Sequence, residues 1–196
     1  MKRKHYIPLM FLTSGVFLLI AGCVPRVAIR SDYDFTSIRR VGVLNFVNYL
    51  SFENSGSAVA DEFVRQLVME GYDVVERGRI DELLREEKLS PAEISGEEAQ
   101  KLGKRLGIDV LISGTVTRYL PEANDYIYFQ DENGDIKYQT FLKEAGVGVS
   151  VRMIDVKTGL VVWADSYDYQ SFSIRNAIQQ TVSAMLNPLF TRMRGK

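Results

Sequence analysis

AQKLGKRLGIDVLISGTVTRYL, residues 99–120, decides the fold. Its first half falls in a helix expected from about Gly96 to Leu106 and stopped by Gly107, since glycine commonly follows the last helical residue. Just upstream, Ser95-Gly96-Glu97-Glu98 has the capping-box pattern, in which serine caps an amide three residues on and glutamate reaches back. The second half, Ile108 to Leu120, is rich in β-branched residues and apolar on both faces at its start. That pattern predicts a central strand covered on both sides.

Upstream, Arg39 to Phe46 is a compact apolar run suited to a buried strand. Ser57 is expected to cap a helix through about Glu70, with Val59, Phe63 and Leu67 on one stripe and Gly71 as the stop. Tyr72 to Glu76 reads as a short strand, and Arg79 to Glu87 as a helix with Ile80, Leu83 and Leu84 inward. Ser90-Pro91-Ala92-Glu93, a second capping pattern, implies a loop or single turn. Downstream, Gly146–Val156 and Leu160–Tyr169 flank Lys157-Thr158-Gly159, a tight hairpin connection. Trp163, Tyr167 and Tyr169 share one face of the second strand. A closing helix, Ser173 to Phe190, carries Ile174, Ala177, Ile178, Met185 and Leu186 at helical spacing, and Pro188 is expected to kink or end it. The order is β-α-β-α-α-β, an inserted hairpin, then β-β-α. This is one mixed sheet with helices packed on it, in the α/β to α+β range.

The N-terminus sets the compartment. Lys2, Arg3 and Lys4 precede an uncharged run from Tyr6 to Gly22, the plan of a secretory signal. That run is short of the roughly 20 apolar residues of a spanning helix, and Pro8 interrupts it. Leu19-Ile20-Ala21-Gly22-Cys23 matches the lipobox of bacterial lipoprotein signals. The pattern implies cleavage before Cys23 and acylation there, and two or more acyl chains hold a protein stably on a bilayer. Cys23 is the only cysteine, so it has no disulfide partner. Val24, rather than aspartate, follows it, which in Gram-negative lipoproteins points to the outer membrane. The expected division is a signal at 1–22, lipidated Cys23 with a polar leader through 36, and one domain at 37–196.

Three of the 24 basic residues lie in 1–22, leaving 21 against 25 acidic ones, a net charge of about −4. Such a domain is a poor nucleic-acid binder, because that binding runs on clustered Lys and Arg. The one histidine, His5, lies in the signal. Without histidine, Ser-His-Asp and Cys-His catalysis and nearly all transition-metal sites are excluded. Gly103 to Gly107 lacks the spacing and hydroxyl of a P-loop, so no nucleotide and no cofactor is expected. Gly107, Gly114 and Gly159 read as turn or close-packing glycines, and Glu76 and Arg77 as capping or pairing locally.

Three phrases, YDVVERGRIDELLREEKLS, AQKLGKRLGIDVLISGTVTRY and VGVSVRMIDVKTGLVVWADS, stand in this order behind the lipobox. Together they resemble the CsgG-type lipoprotein domain, over about Arg39 to Ala184. That superfamily includes the curli-secretion lipoprotein, the penicillin-binding-protein activator LpoB and, more distantly, the N-terminal domain of TolB. The resemblance implies a non-catalytic, lipid-anchored envelope protein that works by binding other envelope proteins or copies of itself. It also raises a pore, because the curli-secretion lipoprotein forms a ring whose subunits each give two hairpins to a transmembrane barrel.

This chain departs from that plan. The loop after its first strand, Asn48 to Gly56, is short, and it has one candidate hairpin, roughly Tyr126 to Leu142. The arms YIYFQD and IKYQTFL hold six and seven residues, against about 9–11 for a spanning strand. Pro121, Glu122 and Asp125 are expected to break the first arm. These features argue against a pore. Asp131 to Asp135, at the tip, lacks the EF-hand glycine and glutamate, since Ile136 and Leu142 hold positions six and twelve. Either the aromatic arms pack on the domain, or Tyr126, Tyr128, Phe129, Tyr138 and Phe141 form a partner surface. A carboxylate glycan hydrolase built on Asp131, Glu132 and Asp135 is a weaker alternative, since glycosidases need a carboxyl pair set across a substrate cleft.

Overall fold

The computed structural model describes residues 27–50 and 52–195, so Cys23, Val24 and the signal lie outside the described residues. Six strands form a mixed sheet: β1 (Ala28–Ile29), β2 (Arg40–Val43), β3 (Asp73–Val74), β4 (Val110–Leu120), β7 (Ala145–Asp155) and β8 (Val161–Ser171). Their spatial order is β1-β8-β7-β4-β2-β3. β2 is parallel to β3 and β4, and the remaining pairs are antiparallel. β5 (Ala123–Gln130) and β6 (Ile136–Lys143) form a separate hairpin.

Helices cover both faces. On one face, α1 (Ser55–Met69) and α4 (Ile174–Met193) enclose Val41, Val43, Val110, Ile112 and Trp163. On the other, α2 (Arg77–Glu86) and α3 (Gly96–Leu106) bury Leu44, Leu111 and Ile154. β4 therefore sends Val110 and Ile112 one way and Leu111 the other, as a strand of period two must. The stretch that decides the fold behaves as expected. α3 opens with a complete Ser95–Glu98 capping box and stops at Gly107, at φ +64°. Gly114 is a packing glycine, since a Cβ there would lie 2.6 Å from the Phe46 ring.

Other boundaries differ for physical reasons. α1 begins two residues before Ser57, whose hydroxyl donates to the Asn54 carbonyl instead of capping. The Asn48 side-chain oxygen accepts the Gly56 amide in the first turn, in place of a cap from Ser57. Glu76 caps α2, accepting from the Gly78 and Arg79 amides, and Arg77 pairs with Asp61. Pro188 does not end α4, which runs on to Met193. Proline inside a helix costs about 3 kcal/mol. Beyond it, Leu189, Phe190 and Met193 are buried, each contributing roughly 1.5–3 kcal/mol, enough to carry the helix through. The expected leader is also drawn into the fold from residue 27 onward. β1 pairs with β8, Phe35 is buried, and the Tyr33 hydroxyl donates to Asp155.

β8 lies next to the outermost strand β1, which among the described residues pairs with it at Trp163 and Ala164. Half-buried Asp165 follows on the same face as Trp163, and burial raises its carboxyl above the ordinary 3.8. The sign is that of an acid whose charged form is disfavoured by burial. Below about pH 3.8 the folded and unfolded chains are both protonated there and the group is silent. As pH rises past that value the unfolded chain ionises first, so the native state loses stability and the penalty persists at neutral pH. Asp165→Asn is therefore expected to raise the melting temperature at pH 7 and to leave it unchanged at pH 3, as differential scanning calorimetry would show.

Candidate protein-docking hairpin

The β5–β6 hairpin grows out of the two innermost antiparallel strands without a slip. Leu120 pairs with Gly146 at the end of the β4–β7 ladder, and Ala123 pairs with Lys143 at the start of the hairpin. The register is the same on both sides of Pro121 and Glu122. The single irregularity lies deeper, between Val116 and Arg118. Each arm holds eight residues, about 27 Å of ribbon at 3.4 Å per residue.

The arms are thus longer than the six and seven residues expected. Pro121 and Glu122 do separate β4 from β5, but Asp125 lies inside β5, opposite Phe141. Its charge is accommodated at the surface by Lys143, at 2.6 Å. Glu122 turns back to the body and accepts the Ile174 amide at the start of α4. The tip is closed by its own side chains. Asp131 accepts from the Asn133 and Asp135 amides and pairs with Lys137 at 2.5 Å, while Gly134 takes φ +86°.

Every residue of both arms is exposed, so the hairpin does not pack on the domain. The pairing sorts its side chains into two unlike faces. One presents Asn124, Tyr126, Tyr128, Gln130, Ile136, Tyr138, Thr140 and Leu142, with no charge among them. Tyr138 stands at the centre of an aromatic group, 5.8 Å from the Tyr126 ring and 6.1 Å from that of Tyr128. The other face mixes Ile127, Phe129 and Phe141 with Asp125, Lys137 and Lys143. Of the five expected contact residues, the structure brings together Tyr126, Tyr128 and Tyr138 and sets Phe129 and Phe141 behind them. The sequence reading missed Ile136 and Leu142, which are 78% and 71% exposed and extend the tyrosine face.

The aromatic face has the makings of a contact surface, because tyrosine offers large area and a polar tip with only two side-chain torsions to fix. For proton-transfer chemistry the tip is unsuited. Its bond to Lys137 is the largest cause holding the Asp131 carboxyl below the usual range, the wrong direction for a general acid. Among the described residues no group of His, Cys, Asp and Glu side chains could hold a metal. A trough of about 380 Å³ opens on the α2–α3 face of the sheet, lined by Ser113, Thr115, Ser150 and Arg152. The Arg152 guanidinium is engaged there, donating to the Ser113 hydroxyl and the Ile94 carbonyl. Among the described residues no helix is long and apolar enough to cross a membrane, which leaves strands unaddressed.

Comparison with known proteins agrees with this architecture. The family described as "Curli production assembly/transport component CsgG" matches residues 21–187. The PelC dodecamer from Paraburkholderia phytofirmans superposes with a TM-score of 0.54 at 19% identity, covering 85% of this chain and 96% of that one. Lipoprotein GNA1162 from Neisseria meningitidis gives 0.48 at 15% identity, over 81% and 99% of the two chains. The LpoB C-terminal domain from Escherichia coli gives 0.45 at 12%, over 69% and 85%. At 19% identity the likeness to PelC is one of fold. No curated protein sequence matches the chain.

Proposed function

The chain belongs to the CsgG family, and from that premise we propose that it is a lipid-anchored envelope protein whose hairpin docks other proteins or further copies of itself. It acts without catalysis, as an assembly module in surface secretion, envelope assembly or wall synthesis. The observation that carries this reading is the projecting ribbon with its bare, uncharged tyrosine face. Exposed apolar patches of this kind are rare on proteins that have no partner.

Cys23, acylated after removal of 1–22, is the tether, and the outer membrane is the surface that holds it. The course of β1 supports a shared orientation of tether and hairpin. β1 is antiparallel to β8, so at Ala28 the chain, followed upstream, heads toward Ser171, which pairs with Ala145 at the hairpin base. Only four residue steps separate Cys23 from Val27, a reach of at most about 14 Å.

A ring or pore of the curli type is the second reading, favoured by the added length of the arms and by the split between a charged and an uncharged face. One experiment tests both. A photo-crosslinking residue placed at Tyr128 in the intact cell is expected to capture a protein, either an envelope component or the chain itself, in a Cys23-dependent manner. Capture of lipid alone, together with a closed ring on electron microscopy of the detergent-extracted protein, would favour the pore. No adduct, with Cys23 unacylated by mass spectrometry, would overturn the proposal.

A further inference from the structure

The trough of about 380 Å³ on the α2–α3 face holds a cation that has no carboxylate partner among the described residues. The pairing of the strands creates it. In the β4–β7 ladder Ser113 lies opposite Arg152 and Thr115 opposite Ser150, and on β8 Ala164 lies opposite Arg152. Alternation sends all five side chains to one face of the sheet. Farther along the same strands, Leu111 and Ile154 give α2 and α3 an apolar surface to bury. Hydroxyls and a guanidinium offer none, so the helices stop short of them. The trough that remains is walled by Val47 and by Pro91 and Ala92 of the short turn Pro91–Glu93.

Arg152 is partly buried, and a charge withdrawn from water is ordinarily paired. Its Nε donates to the Ser113 hydroxyl at 3.1 Å and its Nη2 to the Ile94 carbonyl at 2.9 Å, both neutral acceptors. A guanidinium has five N–H donors, so three remain for a ligand. Ser113 is only 3% exposed, and in accepting from Arg152 it keeps its own proton to donate. We propose that the trough binds the C-terminal carboxylate of a peptide. Arg152 is the one charged residue among those lining it, which suits a monoanion, whereas a phosphate group approaches two negative charges at neutral pH. The Thr115 and Ser150 hydroxyls supply partners for the last peptide group, and Val47, Pro91 and Ala92 supply an apolar wall for a short side chain. The volume lies within the range of small-ligand sites, and capture of a chain-end carboxylate is a recurrent mode of peptide recognition. None of these residues belongs to the hairpin, so this site and the hairpin surface stand or fall separately.

Titration of the full-length protein in mild detergent, followed by nuclear magnetic resonance, tests it. The probes are N-acetyl-alanyl-alanine, the same peptide as its C-terminal amide, and inorganic phosphate. The free acid is expected to shift the Ser113 and Thr115 amide signals saturably at millimolar concentration, and the amide to bind at least about tenfold more weakly, having lost the charge-assisted bonds. Arg152→Gln abolishes binding of the acid. Because Arg152 also supports the Ile94 carbonyl, Ser150→Leu is the second variant: it fills the trough, leaves the guanidinium in place and should abolish binding equally. An unchanged signal from the buried Val149 amide reports an intact fold in each form. No shift with the free acid would overturn the proposal, as would equal affinity for acid and amide. Binding that survives Ser150→Leu, or phosphate held as tightly as the peptide, would overturn it too.

Discussion

Trp163→Ala is expected to lower the unfolding free energy by about 3–5 kcal/mol, the usual cost of truncating a large buried aromatic. The side chain is fully buried in the core that β8 shares with α4. Its removal opens a void where β8, paired with β7 and the short β1 among the described residues, packs on α4. Against a domain stability of roughly 5–15 kcal/mol, that loss is about a fifth of the whole or more. Among the described residues the indole N–H has no acceptor, and an orphaned donor of this kind costs about 1–3 kcal/mol. Trp163→Phe removes the orphan while keeping most of the apolar volume, so it should cost distinctly less, under about 2 kcal/mol. Urea unfolding of the two variants is the check. Equal midpoints for Ala and Phe would show that the aromatic volume contributes little.

The second large effect falls on binding rather than folding. Replacing Tyr126, Tyr128 and Tyr138 together by serine removes the centre of the uncharged hairpin face. Hot-spot tyrosines cost about 2 kcal/mol or more each when truncated, so loss of the three together should lower partner affinity at least about 30-fold. Stability should stay within about 0.5 kcal/mol, because exposed side chains that support no core rarely do more. The rear-face double variant, Phe129→Ser with Phe141→Ser, is the comparison and should lose distinctly less. Co-purification from envelope extract with quantitative mass spectrometry reads both. Equal losses from the two faces would contradict the division of labour between them.

Much of this was legible in the chain. The capping box at Ser95, the glycine stops at 71 and 107, and the doubly apolar start of β4 are local signals, and local signals survive folding. The central strand with helices on both sides followed from them. The miss at Pro188 is of another kind, because burial of Leu189, Phe190 and Met193 by distant partners outweighs a local preference. β1 was hidden because two residues of strand carry no periodicity. The hairpin was placed, but its faces were not. Aromatic residues on both arms look like one surface until the register is known, and a shift of one residue would exchange the faces. The five-residue Asp131–Asp135 connection fixes that register, and it could have been used to pair Tyr128 with Tyr138 in advance.

The unbroken register between hairpin and sheet also has a mechanical meaning. A load applied at the tip would run straight into β4 and β7, and each of these is flanked by a further strand of the sheet. Backbone bonds lie across the strands in such a ladder. Pulling along the arm therefore strains many of them at once instead of peeling them singly, which makes the hairpin a stiff handle through which a bound partner can tug on the whole body.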